Sequence, residues 1–478
     1  MRHRRSVALI LVAVLVSSGL VRTTASAASY SAVSDFNCDG ESDVAVAEPG
    51  AHRFHVLYGH DGKLTTTSPA DQMYTASNYS DRYANAMVTG DFNHDGCSDL
   101  AVGDPGYGSG QVTIFLGGPD GLHSANLVLS DGSSGDDEFG DSMAVGDING
   151  DGRTDLVVGA WGANAIYVYL GTSTGLSPLG YPYADGVNGV PGDGNSNDEF
   201  GRSLAVGNFD GDGHADVAIG APYAADIEGR VYVLHGTSGI VPLTTSGAQT
   251  LSQNTPGVPG TAENGDQFGF SLAVGGFHDG TTQDLAIGVP FEDYQGVTHA
   301  GVIDVLYSTA GAGLTGSGAE QLDGSEAGDT VDIDFGWLLA VGDFNGDGTD
   351  DIAVGNPAGG TGGLVMMFYG NRGGTQILSE GTPGVPGTPE IDDLFGYSLT
   401  EVQVTSRGWF DLVVGVPGET TGGPKLAGMM LLIPGSTGGL TGTGSEEWTV
   451  GTDGVNGSEC LDCWFGYASA GPSSTALD

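Results

Sequence analysis

Five nine-residue stretches of this chain carry a side-chain oxygen at positions 1, 3, 5 and 9. They are Asp35/Asn37/Asp39/Asp43, Asp91/Asn93/Asp95/Asp99, Asp147/Asn149/Asp151/Asp155, Asn208/Asp210/Asp212/Asp216 and Asp343/Asn345/Asp347/Asp351. Calcium takes roughly six to eight hard oxygens at flexible distance, and a tight glycine turn lets one short loop fold around such an ion. Position 7 would add a backbone carbonyl. The same spacing also suits an Asx-rich turn between strands that needs no ion. Five copies in a chain of net charge −47 point to Ca2+, up to five ions. Two further copies have decayed. One keeps Gly276, His278, Gly280 and Asp284, and the other only Asp411, so neither is expected to bind.

Each loop lies between two short apolar runs, and the whole arrangement recurs. From Phe139 the chain reads FGDSMAVGDINGDGRTDLVVGAW, and from Phe200 it reads FGRSLAVGNFDGDGHADVAIGAP. Starts of the unit fall at Tyr83, Phe139, Phe200, Phe268, Phe335, Phe395 and Phe465. Nearly continuous apolar runs of this length suit strands buried on both faces. The fourth copy predicts strands over Ser203–Val206, Asp216–Gly220 and Arg230–His235, with a variable outer strand around Gln249–Leu251. Small sheets repeated around an axis give a β-propeller. The expected fold is therefore all-β: a seven-bladed propeller of four-stranded blades. The first unit lacks its Phe-Gly start and the last lacks its loop, so the Phe465–Ala470 segment should complete the first blade. Pro/Gly-rich insertions such as Pro256–Gly260 and Pro383–Gly387 read as blade-to-blade loops on one rim. Several end in an acid near the next Phe: Asp137, Asp198, Asp266, Asp334 and Asp393.

Phe-Gly starts, DxNxDGxxD loops and Gly-Ala-Pro strand ends together resemble FG-GAP repeats. Such repeats form the seven-bladed propeller of integrin alpha subunits and of many secreted bacterial proteins. The resemblance spans about Ser29–Gly471. It implies a calcium-stabilised propeller with metal loops on the lower rim and ligands meeting the opposite one. Ala160-Trp161 departs from the Ala-Pro pattern. The leg and membrane segments of integrin alpha have no counterpart, so signalling across a membrane is not implied.

Composition agrees with a turn-rich β protein: 478 residues include 86 Gly and 20 Pro, and 15% are charged. Arg2, Arg4 and Arg5 precede an apolar run over Val7–Val16, and Ala25-Ser26-Ala27 follows. That is the pattern of a secretory signal peptide over 1–27, leaving a propeller over 28–478. The apolar run is too short to span a bilayer. An acidic chain whose only lysines are Lys63 and Lys425 repels nucleic acid, so that partner class is set aside. A secreted, monomeric protein, released or held at the cell surface by contacts and not inserted in a membrane, is expected. Outside the cell, four cysteines suggest disulfides. A local Cys460–Cys463 bridge is favoured, with Cys38 and Cys97 paired or free; a zinc site lacks a second ligand pair.

Little in the chain suggests catalysis. Gly171-Thr-Ser-Thr-Gly175 fits a nucleophile-elbow pattern but precedes no helix, and reads as a turn. The histidines are scattered among units. The expected function is a non-catalytic binding or adhesion module for an extracellular protein or carbohydrate. The alternative is a carbohydrate-active enzyme, a polysaccharide lyase or hydrolase, on the same scaffold. Two sets of residues would line a ligand site. One follows each Phe-Gly start: Asn85, Asp141, Arg202, Phe270, Trp337, Tyr397 and Tyr467, with Arg202 and Asp141 placed to pair. The other follows the second strand: Tyr107, Trp161, Tyr223 and Phe291. Packing between blades is the competing role for most of them.

Overall fold

The computed structural model describes residues 34–476, apart from 67–70, 77–79, 81, 124–126, 240, 279–281, 328–334, 371–372, 405–407, 421–425, 452–454, 458–462 and 471–472. The expected signal peptide over 1–27, Gly280, Asp334, Lys425 and Cys460 lie outside the described residues. No helix among the described residues is long and apolar enough to cross a membrane.

Seven antiparallel sheets form the seven blades of a propeller. In the fourth, Ser203–Gly207, Asp216–Ala221, Arg230–Gly236 and Leu243–Leu251 follow one another from the inside outward. Three of these extend the expected strands by only one residue at an end. The outer strand begins several residues earlier than expected, because an irregularity between Val233 and His235 lets a long strand bend and keep pairing.

Ring closure follows the expected route. Ser469–Ala470 pairs with Val44–Glu48 as the inner strand of the first blade, Ala45 opposite Ala470 and Val46 opposite Ser469. The chain then adds a feature that the sequence did not suggest. Ser473–Ala476 pairs with Ser398–Val402, the inner strand of blade seven, placing a fifth strand on that sheet.

What joins one blade to the next is the Phe-Gly start. Its phenylalanine is fully buried in each of six blades (Phe139, Phe200, Phe268, Phe335, Phe395 and Phe465). Its glycine takes a positive φ, between 85° and 95° in those same blades, where a side chain is strained. The carbonyl of that glycine lies against the Gly near the end of the second strand in the preceding blade. A Cβ on Gly103, Gly159, Gly220, Gly288, Gly355 or Gly415 would come within 2.3 Å of the facing glycine oxygen. Buried serines reinforce the junctions: Ser142, Ser203 and Ser271 donate to the next blade's glycine carbonyl at 2.6–2.7 Å. Ser398 does so to Gly466 at 3.0 Å, so the closing junction copies the internal ones. Apolar layers fill the space between sheets, as where Val157 and Val168 of blade three meet Val206 and Val217 of blade four.

One carboxyl group is buried in the wall itself. Asp304, on Val302–Thr309, is fully buried. It accepts a 3.0 Å hydrogen bond from Gln321, and its other oxygen has no hydrogen-bond partner. Burial pushes its pKa up to about 8, with the Glu292 charge adding to the rise and Gln321 opposing it.

Two outcomes are expected from this architecture. Gly288→Ala sets a methyl group against the Gly336 carbonyl and should cost about 3 kcal/mol or more, read by urea denaturation. Asp304 binds its proton more tightly in the folded chain than in the unfolded one. Its contribution is therefore complete below the unfolded pKa and is lost as pH rises towards 8, by at most about 1.4 kcal/mol per pH unit. Asp304→Asn keeps the bond to Gln321 without the charge. Its advantage in melting temperature over the parent should widen by several degrees between pH 5 and pH 9; an advantage that does not change with pH would refute the assignment.

Candidate functional site

The nine-residue loops hang on the rim away from the Phe-Gly starts, each between an inner and a second strand. Their final aspartate is their anchor. Asp43, Asp99, Asp155, Asp216, Asp284, Asp351 and Asp411 are all fully buried at the start of a second strand. In six blades one oxygen of this carboxylate accepts the backbone N–H of loop position 2, as from Phe36 to Asp43 at 2.7 Å and Phe344 to Asp351 at 3.0 Å. In all seven the other oxygen accepts an N–H at the end of the third strand, as from Gly117 to Asp99 at 2.8 Å and Gly435 to Asp411 at 2.9 Å. The same contact to the third strand survives in blades five and seven, where the rest of the loop has decayed. Burial raises Asp99, Asp155 and Asp351 to about 7, against those backbone bonds.

Positions 1, 3 and 5 behave differently. Asp343 accepts from the backbone of Gly346, Asp347 and Gly348, Asn345 accepts from Asp347, and Asp347 accepts from Thr349, all at 2.7–3.0 Å. The first three loops repeat this pattern. The backbone N–H of Asp39 donates to Asp35 at 3.0 Å and to Asn37 at 2.9 Å. That of Asp95 donates to Asp91 at 3.0 Å and to Asn93 at 2.9 Å. That of Asp151 donates to Asp147 and to Asn149, both at 2.9 Å.

Positions 3 and 5 are bonded to each other. The side-chain amide of Asn37 donates to the Asp39 carboxylate at 3.0 Å, that of Asn93 to Asp95 at 2.8 Å, and that of Asn149 to Asp151 at 3.4 Å. Arg153 also reaches Asp151, at 3.2 Å. Asp39, Asp95 and Asp151 stand exposed, whereas Asn37 is buried and Asn93 and Asn149 are half-buried. The physical reason is local: a short Asx turn sets an amide beside the next carboxylate, which takes the nearest N–H donor. Among the described residues, acids and histidines bring three ligand atoms within 4.8 Å of one another in only one of the loops, at Asp210, Asp216 and His235 of blade four.

A carboxylate offers about four lone-pair sites, so the bonds within a loop leave acceptor capacity for a cation. The donor set of hard oxygens around a glycine turn fits Ca2+, provided Asn37, Asn93 and Asn149 turn their amide N–H away from position 5. Blade four departs further. Nδ1 of His235, on the third strand, lies 3.4 Å from Asp210 and 3.2 Å from Asp216, beside a cavity of about 520 Å3. The hydrogen bond to Asp216 raises the His235 pKa, against the opposing effect of burial. Asp212 of the same loop faces His214 at 3.2 Å. In blade five, His278 binds Asp284 at 2.5 Å in the manner of His235. Adjacent loops are tied together. Cys38 and Cys97 form a disulfide between the first two, with Cα atoms 5.0 Å apart. Cys463 is also disulfide-bonded.

On the opposite rim the residues after the Phe-Gly starts mostly pack inward. Asn85, Asp141, Arg202, Phe270 and Trp337 are buried, while Tyr397 and Tyr467 are half-buried. Asp141 collects the donors: Arg82 at 2.5 Å, Asn85 at 3.2 Å, the Trp161 indole N–H, and Arg202 at the edge of contact, 4.0 Å. Arg202 also lies over the Trp161 ring, 4.8 Å from its centroid. The expected Arg202–Asp141 pair therefore exists, but Arg82 is the closer cation. Its position just before Tyr83, where other units carry Glu138 or Glu199, was the available signal. Phe270 stacks on Trp337, and Phe291 packs edge-on against it. Tyr107 and Tyr223 stand exposed. Exposed Trp464, unremarked in the sequence, stacks on Tyr467, which packs against Tyr397.

The FG-GAP repeat family matches residues 200–234 and 335–375, and the FG-GAP-like repeat matches 35–102 and 91–158. This chain is an FG-GAP repeat protein. It is 30% identical over 231 residues to phosphatidylinositol-glycan-specific phospholipase D of Rattus norvegicus, covering 46% of this chain and 26% of that protein. It is 35% identical over 154 residues to integrin alpha-PS5 of Drosophila melanogaster, covering 29% of this chain and 15% of that one. The chain thus spans about a quarter or less of the length of these two curated relatives. Among solved structures, the exotype rhamnogalacturonan lyase YesX is similar with a TM-score of 0.40 and 11% identity, covering 89% of this chain and 79% of that one.

Within this FG-GAP protein the loop splits into a backbone clamp at position 9 and acidic groups at positions 1, 3 and 5. Asp411→Ala, in a blade without the other ligands, should cost about 2–4 kcal/mol, because a buried end of the backbone loses its acceptor. Asp351→Ala should cost a similar amount. Asp347→Ala should change stability in EDTA by less than about 1 kcal/mol and lower it only when calcium is present. Urea denaturation of the three variants with and without calcium checks this; equal losses for Asp347 and Asp351 in EDTA would remove the distinction.

Proposed function

We propose that this propeller is a secreted, calcium-loaded, non-catalytic binding module whose partner is an extracellular carbohydrate or protein. The division of labour between its rims carries the reading. Five oxygen-rich loops occupy one rim, while aromatic side chains stand exposed on the other. Calcium in the loops would neutralise carboxylates that otherwise repel one another, and so brace inner strand against second strand. Asp35, Asp91, Asp147, Asn208 and Asp343 with their loop partners would hold up to five ions. The Trp464–Tyr467–Tyr397 stack offers flat apolar faces of the kind that sugar rings pack against, and aromatic anchors of the kind that protein interfaces use. The disulfide between Cys38 and Cys97 supports an oxidising compartment. The inward packing of Asp141, Arg202 and Trp161 supports a structural role for the polar cluster over a catalytic one.

Chelation with EDTA should lower the melting temperature by many degrees and speed protease cutting at the loops, since a cation that binds only the folded chain stabilises it by mass action. An unchanged melt would overturn the calcium reading. The binding reading is tested by passing the protein over arrays of glycans, polysaccharides and extracellular-matrix proteins beside Trp464→Ala. Retention without turnover, lost in the variant, is the expected result. Release of unsaturated sugar product would establish a lyase instead.

A further inference from the structure

The rim opposite the metal loops carries a second set of carboxylates that the FG-GAP loops do not explain. Glu380 follows the outer strand of blade six, Asp393 precedes Phe395 by two residues, and Glu419 follows the second strand of blade seven. Oxygen atoms from all three lie within 4.8 Å of one another. Glu380 is 4% exposed and Asp393 2%. No donor from outside the cluster reaches either buried oxygen of Glu380 or the buried Oε2 of Glu419, and within the cluster Glu380 meets only the carboxyl groups of Asp393 and Glu419. Gly387 is pressed onto Glu380: a Cβ there would stand 2.1 Å from the carboxylate oxygen, so the loop is shaped around the acid. None of the three makes an ion pair among the described residues.

The junction between blades four and five supplies the comparison within the same molecule. Its loop carries the same Pro-Gly-Val-Pro-Gly sequence, but Gln253 stands where Glu380 does. The Gln253 amide donates to Glu292, the counterpart of Glu419, at 2.9 Å. An N–H donor thus fills the place that the Glu380 cluster leaves to something positively charged. We infer that Glu380, Asp393 and Glu419 form an upper-rim site for a hard divalent cation, calcium, separate from the loops of the lower rim. Three carboxylates supply up to about six oxygens, and water or backbone carbonyls complete the shell of a flexible hard cation. Burying three ionised carboxylates together is otherwise prohibitive.

The test counts ions in the full chain. Calcium stoichiometry is measured by calorimetry after EDTA stripping and dialysis, for the parent, Glu380→Gln, Gln253→Glu and Asp347→Ala. Glu380→Gln reproduces the arrangement already present at Gln253, so it should fold. It should bind one calcium fewer and melt higher than the parent in EDTA. Gln253→Glu should bind one more. Loss of an ion in Asp347→Ala reports the lower rim alone, so the two rims succeed or fail separately. If Glu380→Gln keeps the parental stoichiometry while melting higher in EDTA and calcium alike, the cluster shares protons instead and the inference is overturned.

Discussion

The ring depends on one close approach, repeated at every junction but the first: a second-strand glycine lies under the Phe-Gly carbonyl of the next blade. At six junctions, any side chain at the second-strand position would meet backbone within 2.3 Å. At the first junction both places are alanine, Ala47 and Ala84, and both are fully buried. Backbone on backbone is the closest packing two sheets can reach, and it fixes the separation of their inner strands with little room for adjustment. Near-identical separations around an axis then determine whether the ring closes. Closure by Gly466, with Ser398 donating to its carbonyl as the other serines do, makes the C-terminal segment part of the same constraint.

From this follows the different freedom of the two rims. The lower loops are short connections between strands whose positions are already set, and each is pinned at its ninth residue by a buried aspartate. The loop can lose its other ligands, as in blades five and seven, and the blade keeps its shape because the aspartate continues to accept from the third strand. Strand anchoring thus rests on position 9, while positions 1, 3 and 5 carry the remaining oxygens of the motif. The upper rim is where the chain varies: insertions between blades differ in length, and their acids, aromatics and arginines come from segments remote in sequence.

That difference explains what could be read before the fold was known. The Phe-Gly start, the oxygen-rich loop and its flanking apolar runs are local patterns visible within one unit, and their recurrence along the chain yields the repeat, the seven blades and the closing strand. How the loop side chains bond to one another was not visible: spacing marks Asn37 and Asp39 as two oxygen-bearing positions, and the turn between them sets the Asn37 amide on the Asp39 carboxylate. The role of Asp411 was hidden too, because its partner N–H at Gly435 comes from another strand. Cys38 and Cys97 each sit within a recognisable loop, yet their pairing needed the knowledge that blades one and two are neighbours on the lower rim. The Asp141 cluster was half legible: Asp141 and Arg202 could be placed in adjacent blades, but Arg82 and the Trp161 indole reach it only because of how their loops fold back. Ser473–Ala476 carries no apolar period that would mark it as a strand; it pairs because the inner edge of blade seven offers unsatisfied backbone groups.

The acids of the upper rim show why composition alone misleads in such a chain. With 60 Asp and Glu residues against 13 Lys and Arg, any two carboxylates can be found near each other in sequence, and proximity of that kind carries no information. Burial supplies the missing discrimination. Exposed acids disperse their charge into water, whereas Glu380 and Asp393 sit in the junction between blades six and seven, where solvent cannot do so. A propeller that stacks acidic blades must therefore settle its charge at the junctions, by an amide as at Gln253, by an arginine as at Asp141, or by an ion. The choice differs from junction to junction because each is built from unrelated insertions, while the glycine contact beneath them stays nearly the same around the ring.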